Sequence, residues 1–215
     1  MLLFYTTFHI KNPYYNTHIY KMSLVEWCER QSDPYEKTNS ISNVAFLLAY
    51  AMAPVRYGAM RRCDQLIALI GLGSFYFHIS GSYVGELLDE LPMSLLAYFY
   101  YVAMFRYSRI YAATIVSVWT IYVTLELYSI FVLFFAFQII FPILTAHNKQ
   151  RLINRMYLTR SVIYMTFAVS CWGYERYLYA NGLCPINMSD PLFYLHSCWH
   201  FGTAVAHYNL MLALD

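Results

Sequence analysis

Apolar residues along the chain gather into seven long runs separated by short polar links. The runs lie at roughly 41–59, 65–83, 87–105, 110–126, 127–146, 160–179 and 191–213. A helix needs about 20 apolar residues to cross the hydrocarbon core of a bilayer, and each run comes near that length. The pattern therefore predicts an all-α membrane protein, a bundle of seven transmembrane helices. Around Glu126, "TLELYS" leaves space only for a very short link between the fourth and fifth helices.

The overall composition agrees with a membrane protein. Hydrophobic residues make up 60% of the chain and charged residues only 12%, whereas soluble domains are roughly 45–50% apolar and about 25% charged. The net charge is only +2, and no basic tract exceeds two adjacent residues, which argues against a nucleic-acid partner. The apolar stretch Leu2–Phe8 is too short to span and lacks a basic flank, so we do not interpret it as a signal peptide.

The positions of lysine and arginine predict the orientation in the membrane. Loops one, three and five share a side in a seven-helix bundle, and they hold nine of the 14 basic residues. Cytosolic loops carry this excess, so the N-terminus is expected in the lumen and the C-terminus in the cytosol. We therefore predict a lumenal N-terminal segment over 1–39 and a seven-helix catalytic domain over 40–215. The nine residues are Arg56, Arg61, Arg62, Arg106, Arg109, Lys149, Arg151, Arg155 and Arg160.

Two further features fall on the predicted lumenal side. The triplet "NMS" at Asn187 is a glycosylation sequon in the sixth loop. Cys28 and Cys184 lie on the same side, where a disulfide can persist. From the residues alone, these cysteines are either a disulfide pair or two free thiols.

Polar groups within the apolar runs are the strongest indication of function. A charge at the centre of a membrane helix costs at least about 2.5 kcal/mol on insertion scales, so such residues usually serve a purpose. On the predicted topology, those of the second, third and seventh helices reach a similar depth in the lumenal half. Ser74 and His78 lie on one helix face, as do His196 and His200. The full set is Ser74, His78, Asp89, Glu90, Trp172, Glu175, His196 and His200.

This combination predicts a catalytic zinc site. Three neutral imidazoles with one open position are typical of such sites, and zinc lowers the pKa of a bound water to about 7. Asp89 is a candidate general base and Ser74 a candidate donor to an oxyanion. The alternative is that each histidine only forms a hydrogen bond across the bundle, with Ser74 serving close helix packing.

An acidic cluster precedes the first apolar run. Glu26, Glu29, Asp33 and Glu36 fall within eleven residues just outside the predicted membrane. Calcium takes 6–8 oxygen ligands, so this density of carboxylates suits a calcium site, although the spacing is not that of an EF-hand. The alternative is a solvated acidic surface.

Five motifs together resemble the alkaline ceramidases, a family of seven-span intramembrane hydrolases. They are "EWCE", "SISN", "GSFYFH", "LLDELPM" and "HSCWH". The resemblance follows nearly the whole chain in order, except that roughly 105–160 matches only in hydropathy. It implies zinc-dependent cleavage of ceramide, a membrane lipid, to sphingosine and a fatty acid. It also implies an endoplasmic reticulum or Golgi membrane and indicates no obligate protein partner.

The resemblance also assigns roles to individual residues. It implies His78, His196 and His200 as zinc ligands, with Asp89 acting on the zinc-bound water and Ser74 on the oxyanion. It favours a Cys28–Cys184 disulfide. A regulatory calcium ion would be held by Glu26, the Trp27 carbonyl, Glu29, Gln31 and Glu36.

The calcium motif departs from the family pattern in three ways. Gln31 stands where the family has Asn, and Glu26 stands where it usually has Asp. The segment from "WCE" to "SN" is also shorter than in the family.

Three other functions remain open from the sequence. The first is a lipid hydrolase of the same superfamily, of the phospholipase type that remodels lipids, because an ester fits the same zinc chemistry. The second is a seven-span receptor like the adiponectin receptors, which carry their motifs in another arrangement. The third is a transporter or lipid-binding protein with a vestigial site.

Overall fold

The computed structural model describes residues 21–105, 107–146 and 154–215. Within them the backbone forms α-helices and two short 3-10 helices, at Cys28–Gln31 and Pro191–Tyr194, and no strand. The all-α class is therefore confirmed for the described residues. Residues 1–20 of the predicted N-terminal segment lie outside these ranges. Arg106, Lys149 and Arg151 also lie outside them. The α-helices are α1 Lys37–Ser42, α2 Val44–Ala51, α3 Gly58–Ser80, α4 Tyr83–Met104, α5 Arg109–Leu125, α6 Tyr128–Ala146, α7 Arg155–Ala180 and α8 Leu195–Leu214.

Six of the seven apolar runs each form one long helix, α3 to α8, with ends no more than seven residues from those expected. The short link between the fourth and fifth runs is also confirmed. Glu126 ends α5 in the left-handed conformation, with φ of 56°, and α6 begins at Tyr128. A left-handed residue reverses the chain direction immediately after a helix, so almost no loop is needed.

The first run does not form the single helix expected over 41–59. The chain is helical over α1 and α2 and leaves the helical conformation after Ala51. Asn43 separates the two short helices, and its side-chain amide donates to the carbonyls of Asn39 and Ser40. Such bonds compete with the helical backbone pattern. Pro54 disfavours a helical residue before it and lacks an N–H group, which explains the early end.

The helices are apolar overall but not uniformly so. Within the described residues, no helix combines the length and the sustained hydropathy that crossing a membrane requires.

Helices α3 and α4 pack backbone to backbone near their shared turn. A Cβ atom on Gly73 would lie 2.2 Å from the Leu88 carbonyl oxygen, so only glycine permits this approach. The contact sets Leu88 and Asp89 directly against the helix that carries Ser74 and His78. Gly73, the glycine of "GSFYFH", therefore determines where α4 places the Asp89 carboxylate relative to α3.

Helices α7 and α8 form the other extensive helix pair. Gly202 of α8 approaches Ala168 of α7, where an added Cβ would lie 2.9 Å from the alanine Cβ. The Ser161 hydroxyl donates to the Ala206 carbonyl at 2.8 Å. These contacts hold the α8 histidines in a fixed position relative to Glu175 near the end of α7.

The segment before α1 lies over the end of the bundle. Its backbone pairs with the α3–α4 turn, where Ser23 N donates to Gly81 O at 3.0 Å. A disulfide joins Cys28 to Cys184 of the α7–α8 link. Val25, Trp27 and Phe77 form a small buried cluster beneath it. The N-terminal segment is thus fixed against α3 and α7 before the chain enters α1.

An ion-pair network around the buried Arg56 joins the start of α3 to the end of α8. The Arg56 guanidinium pairs with Asp64 at 3.2 Å and with Asp215 at 2.8 Å. On α8, Nδ1 of His207 lies 2.5 Å from the Tyr100 hydroxyl, and its Nε2 lies 3.6 Å from Asp64. His207 therefore belongs to this network.

The Gly73–Leu88 contact leads to a direct test. Gly73→Ala should push α3 from α4 and lower thermal stability, since overpacking costs about 1–3 kcal/mol. Gly173→Ala is the matched control, because nothing lies within 4 Å of its added Cβ and alanine favours a helix. Melting curves of the two purified variants measure the difference. Equal stability of the two would contradict the close helix contact.

Candidate metal centre

Three histidines from two helices meet inside the bundle. One ring nitrogen each of His78, His196 and His200 lies within 4.8 Å of the others. All three side chains are buried, at 0%, 3% and 1% exposure. No other group of three or more His, Cys, Asp or Glu residues comes together in this way within the described residues. The histidines predicted from separate runs therefore form one cluster.

Local structure explains how the cluster forms. His78 lies in the last turn of α3, which ends at Gly81 with φ of 59°. The side chain of Asp190 caps the short helix Pro191–Tyr194, and that helix leads directly into α8. His196 and His200 then lie one turn apart on the same face of α8. The ends of two antiparallel helices thereby face each other.

Each ring has its Nδ1 atom occupied by a different partner. Nδ1 of His78 lies 2.7 Å from Glu36 Oε2, and Nδ1 of His196 lies 3.0 Å from Glu175 Oε2. Metal-binding histidines commonly donate their second ring N–H to a carboxylate in this manner. These contacts orient the two rings with Nε2 left for another partner.

His200 takes the same orientation through a hydroxyl group. Its Nδ1 lies 2.7 Å from Ser42 Oγ, and the Ser42 hydroxyl donates its one proton to the Asn39 carbonyl at 2.8 Å. Ser42 therefore accepts from His200, because a hydroxyl has a single proton to give. With Nδ1 of His78 and His196 likewise donating to the carboxylates, all three neutral imidazoles carry a lone pair on Nε2.

These observations meet the requirements of a metal site. Nε2 of His78 is buried and has no hydrogen-bond partner, which is costly unless another group satisfies it. In a tetrahedral zinc site with Zn–N distances of about 2.0–2.1 Å, neighbouring nitrogens lie about 3.4 Å apart. A small inward adjustment of the three rings reaches that spacing, so the residues fit such an ion.

Asp89 and Ser74 lie beside the triad. The Asp89 carboxyl interacts with the Ser74 hydroxyl and with His78. Ser74 is 1% exposed and lies on the same face of α3 as His78. The structure thus brings together all five residues that the sequence predicted for the zinc centre.

An apolar cavity of about 380 Å³ reaches this group of residues. Asp89, Glu90 and His196 supply polar atoms to its wall, whereas most of the remaining lining is aromatic or aliphatic and comes from α6 and α7. Trp27 also lines the cavity and lies against His196, with 3.9 Å between ring centroids. Asp89 and His196 therefore border a space suited to an apolar molecule with a polar centre.

Two of the acidic residues predicted to bind calcium have other partners. The buried Glu29 carboxylate accepts from the backbone N–H groups of Thr38 and Asn39 at 2.7 and 2.9 Å. The Glu26 carboxylate accepts from the Tyr179 hydroxyl at 2.7 Å. Both carboxylates are thus used to hold the N-terminal segment onto α1 and α7.

The remaining calcium candidates do not converge with these two. Glu36 contacts His78 and Arg30, Gln31 is exposed, and the Trp27 carbonyl accepts from Arg30 N at 3.2 Å. Burial opposes ionisation of Glu36, but His78 and Arg30 outweigh it and hold the pKa of this carboxyl at about 2. The predicted ligands are therefore neighbours in sequence without forming one oxygen cluster.

Asn187 lies exposed in the link between α7 and α8, as an attached glycan requires. Its side-chain oxygen accepts from Ser189 N at 3.0 Å, which forms a local turn. Glycosylation at this residue stays a prediction.

Sequence reasoning missed the residues that orient the histidines. Glu175 had a usable signal, as a carboxylate near the end of an apolar run. Glu36 was assigned only to calcium, and Ser42, although part of the "SISN" motif, was assigned no role. Their roles depend on the way α1 folds back onto α3 and α8, which no short motif encodes.

Comparisons with known proteins identify the family of this chain. The family model described as Ceramidase matches residues 19–215. Alkaline ceramidase 1 of Mus musculus is 31% identical over 213 residues, covering 84% of this chain and 75% of the relative. The alkaline ceramidase of Drosophila melanogaster is 28% identical over 224 residues, covering 88% and 75% respectively. Alkaline ceramidase 1 of Homo sapiens is 27% identical over 211 residues, covering 84% and 77%.

The family match covers all eight α-helices and includes the histidine triad, Asp89, Ser74 and the cavity. The chain therefore belongs to the ceramidase family and is a hydrolase.

Proposed function

We propose that this hydrolase cleaves the amide bond of ceramide to sphingosine and a fatty acid with a zinc ion at His78, His196 and His200. The observation that carries the proposal is the buried triad at the wall of an apolar cavity, next to Asp89. Family membership supports the substrate, and the neutral nitrogen donor set supports zinc.

The protein's own residues have distinct tasks in this reaction. Bound zinc would act as a Lewis acid that polarises a carbonyl and acidifies water. The Asp89 carboxylate accepts a proton from the attacking water and returns it to the departing amide nitrogen. The Ser74 hydroxyl donates to the carbonyl oxygen as negative charge develops there. The C–N bond breaks, and the products are a carboxylic acid and an amine.

The cavity explains why a lipid suits this site. Its apolar wall from α6 and α7 accommodates hydrocarbon, and Asp89, Glu90 and His196 supply polar groups to the same cavity. A molecule with two hydrocarbon chains and a central amide would therefore place the amide at Asp89. The buried histidines exclude bulk water from that end, which strengthens the electrostatic contacts there.

We propose that the enzyme is an integral membrane protein with the seven-span arrangement expected from the sequence. Large apolar side chains face outward on several helices, including Leu72 at 57%, Phe137 at 54% and Ile163 at 59% exposure. Extensive exposed apolar surface is unfavourable in water and suits a lipid environment. The triad and the disulfide would lie at the lumenal end, in an endoplasmic reticulum or Golgi membrane.

Substrate assays separate this proposal from its closest rival. A panel of purified ceramides and phospholipids should show release of fatty acid from ceramides. Turnover of phospholipids alone would favour a lipid-remodelling phospholipase. Turnover of neither by zinc-loaded protein would favour a receptor or lipid-binding role.

Removal of a ligand tests the metal assignment. His196→Ala should abolish turnover and bound zinc, because two histidines hold zinc poorly. His207→Ala is the matched control, since His207 is also buried on α8 but lies outside the triad. Elemental analysis of the purified proteins measures zinc per chain. Retention of one zinc in each of His78→Ala, His196→Ala and His200→Ala would exclude the triad as the metal site.

Neutralising the proposed base should separate chemistry from metal binding. Asp89→Asn should keep zinc but lower kcat by about 10²–10⁴-fold, the usual contribution of general acid–base catalysis. Single-turnover ceramide hydrolysis with zinc measured on the same sample gives both quantities. A near-normal rate in this variant would assign proton transfer to Glu90 or to the metal alone.

The Glu175–His196 contact predicts a role in metal affinity. Glu175→Gln should weaken zinc binding about 10–100-fold, as is typical when a partner of a ligating histidine is lost. Glu126→Gln is a suitable control, because Glu126 pairs with Lys21 at the surface. Competition with a zinc chelator measures the affinity. Equal zinc affinity of both variants and wild type would show that the Glu175 contact does not act on the metal site.

A further inference from the structure

Arg30 provides a fixed positive charge inside the acidic N-terminal segment. Its side chain is only 10% exposed. Nε donates to Glu36 Oε1 at 2.5 Å, Nη1 donates to the Pro34 carbonyl at 3.2 Å, and Nη2 donates to the His78 carbonyl at 2.8 Å. One carboxylate oxygen and two carbonyl oxygens thus surround a single guanidinium group.

These three acceptors are of the kind that a calcium ion takes. Calcium sites in proteins combine carboxylate oxygens with backbone carbonyls, and here a guanidinium contacts the same types of atom. The backbone is also shaped for this side chain. A Cβ on Gly81 would lie 2.1 Å from Arg30 Nη1, so the glycine leaves the space that the guanidinium fills.

The other groups expected to bind calcium do not compete for this position. The carboxylate of Glu29 is bonded to two backbone N–H groups at the start of α1, and the carboxylate of Glu26 is bonded to Tyr179. Glu36 is the acidic residue that contacts the guanidinium, and its second oxygen is engaged by His78 and the Asn39 amide. The residues therefore do not fit a calcium ion while Arg30 occupies its present position.

We infer that the Arg30 guanidinium takes the place of calcium in this chain and is a positioning residue that holds Glu36 against His78. Arginine stays charged at all physiological pH values, and its planar group forms several directed bonds to oxygen at once. A covalently attached cation needs no free ligand, whereas stabilisation by calcium would vary with calcium concentration. The folded N-terminal segment and the metal centre should therefore be indifferent to calcium.

The side chains of Gln31 and Glu26, which depart from the family motif, are both directed away from an ion site. Gln31 is exposed rather than directed at a cation, and Glu26 extends to Tyr179. With Arg30 in place, neither side chain has to coordinate an ion. Glu36, immediately before α1, contacts both Arg30 and His78.

Calcium binding to the intact protein is the first test. Equilibrium dialysis of zinc-loaded, detergent-purified wild-type protein against radioactive calcium should show no stoichiometric binding at millimolar calcium. The melting temperature should likewise not change with added calcium. One calcium bound per chain in wild type, and lost in Glu36→Ala, would overturn the inference. Neither readout depends on the substrate, so this result is independent of ceramide hydrolysis.

Removal of the guanidinium is the second test. Arg30→Ala should lower the melting temperature and reduce zinc affinity about tenfold through the loosened Glu36–His78 contact. Added methylguanidinium should restore part of both. Lys37→Ala is the matched control, because Lys37 is 70% exposed and lies 3.5 Å from Asp33. If Arg30→Ala has the melting temperature and zinc affinity of Lys37→Ala, Arg30 does not position Glu36.

Discussion

Three hydrogen bonds to imidazole Nδ1 atoms connect the fold to its chemistry. Glu36, Glu175 and Ser42 each fix one ring of the triad, and they come from three different elements. Neutral histidines coordinate a metal only when their free nitrogens point to one place. The position of the N-terminal segment, α1 and α7 is therefore a requirement of the proposed metal centre as well as of stability.

The disulfide and the buried carboxylates serve this requirement together. Cys28 is joined to Cys184, and its backbone N–H donates to Glu175 at 3.1 Å. The same carboxylate accepts from His196 through its other oxygen. Fixing the segment to the α7–α8 link thus also sets the orientation of a proposed zinc ligand. Arg30 fixes the partner of His78 in a similar way. Its guanidinium donates to the Glu36 carboxylate and to the His78 carbonyl.

Sequence patterns predicted the features that depend on residues close together in the chain, such as the long helices and the shared face of His196 and His200. Apolar runs gave six of the long helices, and the i, i+4 spacing of His196 and His200 gave the shared face of α8. The positions of lysine and arginine predicted the orientation of the helices. That topology placed His78, Asp89 and Ser74 at the same depth as His196 and His200.

Other features could not be read from local patterns, because they depend on tertiary contacts. The first run was expected to be one helix, but Asn43 and Pro54 divide and end it. The acidic cluster suggested calcium, whereas Glu29 caps α1 through backbone contacts nine and ten residues away. Ser42 lies in the "SISN" motif but was given no role, because its hydroxyl becomes important only where α1 meets α8. The distance between helices at Gly73 likewise depends on the residue it meets, Leu88.

X-ray absorption at the zinc edge of the purified enzyme tests the metal centre most directly. Coordination by the triad predicts three imidazole nitrogens and one further light atom at about 2.0–2.1 Å, with the scattering pattern typical of histidine rings. A sulfur neighbour at about 2.3 Å, or fewer than three imidazoles, would contradict zinc coordination by His78, His196 and His200.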